Sequence, residues 1–193
     1  RPASEASVPE WHDEGAARGD LVTLVLSERW HSFLPEGLSQ EKQRVSDHML
    51  RRFRDHALPK FLAACRWLAG PPPATESITI ERRLLWQADA DEFLLLWLRV
   101  ARPGRPDRCC LLPLALAWGS DQQDRIRELL NGAVARVRER ARTGVLYEAL
   151  RDPAFCGAVV AAIREGRVLT LHHARLVGIR TWAAQVRRRI DAR

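Results

Sequence analysis

FLLLWLRV, residues Phe93 to Val100, is the stretch that decides the fold. Successive side chains of a strand point to opposite faces, so Phe93, Leu95 and Trp97 share one face while Leu94, Leu96, Leu98 and Val100 share the other. Neither face can be left in water without cost, which predicts a central strand beside a sheet partner and between covering helices. Outward from it, Ser77 to Gln87 reads as a half-buried strand. Strict alternation there places Ile78, Ile80, Leu84 and Trp86 on one face, interrupted by Arg82, with Thr79, Glu81, Arg83 and Gln87 on the other. Cys109 to Trp118 is a second mostly apolar strand, in which Pro113 favours an edge or a bulge because it cannot donate to a ladder. Ala88 to Glu92 and Pro103 to Asp107 are short enough for hairpins, so an antiparallel meander is expected.

Helical spacing governs the regions on either side. Between Gln40 and Ala69, Val45, Met49, Phe53 and Ala57 recur every fourth residue, with Leu50 widening the stripe and Ser39 placed as N-cap. Pro59 would clash with the preceding turn, which predicts a kinked helix or a pair divided near Leu58. Phe61, Leu62, Cys65 and Leu68 continue the apolar face until Gly70 and Pro71 to Pro73 stop it. Leu21 to Leu26 suits a short strand, with Trp30 and Phe33 as anchors. Ser120 and Gln123 have capping-box spacing, predicting a helix from Asp121 to Leu130, while Ala133 to Arg138 fits strand or helix equally. Asp152-Pro153 pairs an N-cap residue with the residue best suited to the first helical position. The helix it starts carries Phe155, Cys156, Val159, Val160 and Ile163 on one face and ends at Gly166. Val168 to Ile179 returns to strand-like alternation. The predicted fold class is α+β, a curved antiparallel β-sheet packed against helices.

At 193 residues and 46% apolar content the chain can bury a core without disulfides. The net charge is +7, and every basic residue except Lys42 and Lys60 is arginine. This excess is spread along the chain rather than clustered, so nucleic acid is not an expected partner. Cys65, Cys109, Cys110 and Cys156 contain no C-x-x-C pair, and adjacent Cys109 and Cys110 would face opposite ways. Reduced, mostly buried thiols are expected. With no signal peptide and no apolar run of membrane-spanning length, the reading is cytoplasmic with no membrane partner. Residues 1–20 lack periodicity and read as a flexible tail or linker. The beginning at Arg1 suggests an excised or processed piece.

Candidate chemistry is thin. Asp89 and Asp91 form a possible carboxylate pair, but aspartate in a turn is favoured for its backbone bonding. His172 and His173 are possible metal ligands, although strand neighbours face apart. Arg66-Trp67 reads as a stacked recognition element or as core, and Arg187-Arg188-Arg189 as an acidic-partner site or a solvated face. The tripeptide Arg18-Gly19-Asp20 occurs too often by chance to carry weight. No catalytic, cofactor-binding or metal-binding residue is assigned.

Four segments, in order, resemble the N-terminal cap of maltokinases, as found in fusions with trehalose synthase. Leu58-Pro59-Lys60-Phe61-Leu62 followed by Arg66-Trp67-Leu68-Ala69-Gly70 is similar to that cap's opening, and Leu111 to Leu116, LLPLAL, to one of its strands. Gly144 to Cys156, GVLYEALRDPAFC, resembles its "GVLYDALYDPAFC", and Leu176 to Thr181 the segment before the kinase N-lobe. The likeness departs at Pro71, where the family has lysine. With Leu21 to Trp30, which looks like the run that leads into the cap in fused proteins, it covers residues 21–181 and implies a cap-like domain there, with 182–193 as a basic tail leading to a kinase lobe outside the chain. None of the six histidines begins the family's His-Gly-Asp-x-His catalytic loop. The resemblance therefore implies a noncatalytic cap, whose partners are the kinase lobes of the same polypeptide and a trehalose synthase domain. The complete enzyme would use ATP and Mg to phosphorylate maltose to maltose 1-phosphate; this chain would hold no cofactor. The alternative is a protein-interaction module unrelated to sugar phosphorylation.

Overall fold

The computed structural model describes residues 21–36, 38–65, 77–119, 128–130, 132–171 and 174–177. Strands β1 (Thr23–Val25), β2 (Ile78–Ala88), β3 (Asp91–Arg102), β4 (Arg105–Trp118), β5 (Ala133–Glu139) and β6 (Arg142–Glu148) form one curled sheet in the order β1-β5-β6-β4-β3-β2. All neighbours are antiparallel except β1, which joins β5 in parallel, so the sheet is mixed rather than wholly antiparallel. Three two-residue turns connect β2 to β3, β3 to β4 and β5 to β6. Asp89, Gly104 and Arg140 supply the positive φ that such turns need, at 53°, 68° and 52°. The α+β class and the hairpins follow the expectation.

Helix α1 (Gln40–Arg52) runs through one wide π turn (Phe53–Ala57) into α2 (Leu58–Ala64). Pro59 accounts for that turn: it lacks an N–H and its ring crowds the carbonyl four residues back, and the looser turn relieves both defects without ending the helix. Met49, Phe53, Ala57, Leu58, Phe61 and Leu62 pack down onto Leu94, Leu96, Leu98 and Val100 of β3 and onto Val134, Val137 and Leu146. A short 3-10 helix at Arg29–Phe33 joins this layer, with Phe33 edge-on to Phe53 at 5.5 Å. Val45, expected in the stripe, is exposed, and Ser46 is buried instead. Ser39 occupies the N-cap position without a side-chain bond; its carbonyl accepts from Gln43 N–H at 2.9 Å.

The opposite sheet face packs under α3 (Pro153–Glu165), where Trp86, Phe93 and Phe155 form a three-ring cluster with Phe155 edge-on to both partners at 5.8 and 5.0 Å. β3 is thus buried on both sides. Two bulges correct the strand faces read from sequence. Ile80 pairs with Leu98 but Arg82 pairs with Trp97, so Glu81 is an extra residue and the alternation reverses after it. Ile78 and Ile80 consequently face α1 and α2, whereas Leu84 and Trp86 face α3. A second bulge between Ala133 and Ala135 puts Val134 and Val137 on one face, which explains their imperfect alternation in β5.

α3 is also rotated from expectation. Phe155, Ala158, Val159 and Ala162 meet the sheet, while Cys156 and Val160 are exposed. Gly166 ends the helix at φ 66°. Beyond it, β7 (Val168–Leu171) and β8 (Ala174–Val177) form a separate antiparallel pair, a hairpin where a single alternating stretch was read. The thiols expected to be mostly buried are not. Cys109 and Cys156 are exposed, and Cys110 is half-buried, where burial raises its thiol pKa. The predicted helix at 121–130 lies outside the described residues except for helical Glu128, Leu129 and Leu130. Leu68 and the Gly70 to Pro73 stop lie outside them altogether. No helix among the described residues is long and apolar enough to cross a membrane.

At Gly144, opposite Trp118, β6 leaves no room for a side chain against β4. A Cβ added there would sit 2.2 Å from the Ala117 carbonyl oxygen and 3.0 Å from the Trp118 ring. Backbone cannot yield as a flexible side chain can. Gly144→Ala is therefore expected to destabilise the protein by about 2–4 kcal/mol in urea unfolding. A loss under about 0.5 kcal/mol would mean that the two strands are not so closely held.

Candidate functional site

The register of β4 defines the candidate site. β3 pairs with β4 only as far as Leu94 opposite Leu114, and β6 pairs with β4 only from Leu114 opposite Glu148 to Trp118 opposite Gly144. β4 is handed from one neighbour to the other at Leu114. Past that point Asp91, Glu92 and Phe93 remain paired with β2 alone, and Ala115 to Trp118 with β6 alone. Main-chain groups alternate sides along a strand, so the N–H and C=O groups on the inner edges of these two segments face an opening instead of a ladder. Pro113 adjoins this handover, on the side of β4 that has no strand beside it until Leu114. Its missing N–H is harmless on that local edge, in accord with the edge expected from sequence.

The opening is a cleft of about 420 Å³. Its walls are Asp91 to Phe93 and Ala115 to Trp118; Arg29 and Trp30 of the 3-10 helix stand on one side, and Tyr147 and Asp152 on the other. An Arg29–Glu92 ion pair at 3.7 Å links the 3-10 helix to β3, and the Arg29 backbone N–H donates to Glu139 Oε1 at 2.7 Å. Arg142 lies 5.0 Å over the Trp118 ring. Two buried polar side-chain atoms have no hydrogen-bond partner among the described residues: Ser46 Oγ beneath α1, and Trp118 Nε1. Of these two residues Trp118 lines the cleft and Ser46 does not, although the Trp118 Nε1 atom itself is buried.

Tyr147 and Asp152 hold the cleft's far side in place. Both are buried; the Tyr147 hydroxyl donates to Asp152 Oδ2, and Asp152 Oδ1 accepts from Ala154 N–H at 2.9 Å. Asp152 is thus the N-cap that the Asp-Pro pair foretold, and it ties the end of β6 to α3 as well. Both polar groups are engaged in structure rather than presented for reaction.

Sequence candidates fare unevenly. Asp89 is a turn residue, as its alternative reading had it, and only Asp91 reaches the cleft. Arg66, Trp67, His172, His173, Arg187 to Arg189 and Arg18 to Asp20 lie outside the described residues. No group of three or more His, Cys, Asp or Glu residues among the described residues could hold a metal ion. Arg29, Gln87, Glu92, Trp118 and Arg142 were not singled out from sequence, since they come together only through strand register.

Asp152→Ala removes both the helix cap and the acceptor of the Tyr147 hydroxyl bond, so a loss of about 2–4 kcal/mol is expected, against about 1 kcal/mol for Tyr147→Phe, which removes only the second. Denaturant titration of the two variants checks this ordering; the reverse ordering would contradict the shared role of Asp152. A scan of protein-family models and searches of curated proteins and of solved structures find no match to this chain.

Proposed function

We propose that this chain is the noncatalytic N-terminal cap of a maltokinase-like sugar kinase and docks on the kinase N-lobe. In the complete enzyme the kinase lobes would bind ATP and Mg and transfer a phosphoryl group to maltose, giving maltose 1-phosphate. A fused trehalose synthase domain is a further partner. Support comes first from the four segments of likeness, and from the way the most specific of them is used. In GVLYEALRDPAFC the glycine meets a close strand approach, the tyrosine and second acid bond each other, and the proline opens α3. These residue types answer structural needs, as a cap without chemistry requires.

The observation that carries docking is α3 itself. Its sheet-facing side is apolar, yet Pro153, Cys156, Gly157 and Val160, spaced at three and four residues on the opposite side, are exposed. Val160 is 54% exposed, and Leu150 just before the helix is 55% exposed. The helix thus carries apolar residues on both sides, the outer one shared with exposed Arg164, and each side is suited to burial against a neighbour. The sheet takes one, and the kinase lobe is the proposed cover for the other.

Isothermal titration of the chain into separately produced maltokinase kinase lobes, in excess and at low salt, is expected to give saturable association. Val160→Glu, at an exposed position, should weaken it about tenfold or more while leaving the fold intact. No heat with the unaltered chain, or undiminished binding by the variant, would contradict docking through α3.

A further inference from the structure

From the cleft between β3 and β4 we propose a second capacity: a binding site for a small uncharged carbohydrate of one or two rings. This goes beyond the kinase-cap reading and does not rest on it, since the lining residues alone carry it. Two strand edges present main-chain donors and acceptors together, the alternation that a polyhydroxylated molecule can match and an apolar one cannot. Gln87 adds an amide whose contact with the Asp89 carbonyl, at 3.4 Å, is long. Among the described residues the buried Trp118 indole N–H lacks an acceptor, a deficit that a ligand hydroxyl can make good only if the ring turns toward the cleft.

Charge selects against the other ligand classes. Arg29, Arg142, Asp91 and Glu92 line the same space, with Arg29 and Glu92 paired at 3.7 Å, and the third acid, Asp152, is committed to Tyr147 and the helix cap. An anion entering here meets two carboxylates, and a cation meets two guanidiniums. A neutral ligand with many hydroxyls can bond to both sets, because carboxylates accept and guanidiniums donate. The volume, about 420 Å³, falls toward the lower end of the range for small-molecule sites, about 300–1,000 Å³.

The test is a titration of the ¹⁵N-labelled 193-residue chain with glucose and with maltose, followed by heteronuclear NMR. Saturable shifts are expected at the Trp118 indole and at the amides of Asp91 to Phe93 and Ala115 to Trp118, with a dissociation constant of about 0.1–10 mM. Trp118→Phe identifies the indole signal. Asp91→Asn and Arg142→Gln, both at exposed positions, should each weaken binding about fivefold or more, so the result does not depend on one variant folding. No shift with either sugar up to about 100 mM would overturn the proposal. So would shifts that never saturate, or a saturable response to inorganic phosphate without one to sugar, which would make the cleft an anion site. Loss of kinase-lobe docking with these shifts intact would overturn the cap reading alone.

Discussion

Burial of β3 on both faces is the constraint on which the rest of the fold depends. Leu94, Leu96, Leu98 and Val100 require the α1–α2 layer, and Phe93 and Leu95 require α3 and its aromatic cluster. Each apolar side chain of this size gains about 1.5–3 kcal/mol on leaving water, so a sheet covered on only one side would forgo several such terms. Two helical layers around one sheet are the consequence. The π turn before Pro59 and the tight approach at Gly144 then appear as local adjustments that let those layers close.

A second consequence follows for the sheet. β4 serves two neighbours in succession, β3 up to Leu114 and β6 from Leu114 onward, so β2 and β3 are joined to β6, β5 and β1 through one strand. A curled sheet accommodates such a transfer because its two parts need not be coplanar. Where β3 and β4 diverge, paired backbone gives way to a polar cleft, and side chains from the 3-10 helix, the β2–β3 turn, β6 and the start of α3 meet there. The exposed side of α3 is a separate surface. The first is the site proposed for a small ligand, and the second the surface proposed for a protein partner.

Much of the fold was legible because it rests on local rules. Alternation in Phe93 to Val100 identified the central strand and its layers, and the Asp152-Pro153 cap and the Gly166 stop bracketed α3 correctly. What was not legible depends on register. The bulge at Glu81 reversed the faces of Leu84 and Trp86, and that at Ala133–Ala135 obscured β5, since an inserted residue is invisible until its partner strand is known. For α3 the apolar arc was seen but not which part of it the sheet would take. The cleft was beyond reach for the same reason: its residues range from Arg29 to Asp152, and only the transfer of β4 assembles them. Of these, Asp91 alone had been considered as a candidate for chemistry, and for a different role.

The transfer at Leu114 is the central claim, and residue-resolved amide hydrogen exchange measures it most directly. Amides of Leu94 to Leu98, Leu112 and Leu114 should exchange only with global unfolding. Within Asp91 to Phe93 and Ala115 to Trp118, amides bonded to β2 or β6 should be protected, while those on the inner edges exchange at least about a hundredfold faster. Uniform slow exchange through both segments would mean that the β3–β4 ladder continues to its end, and there would be no cleft.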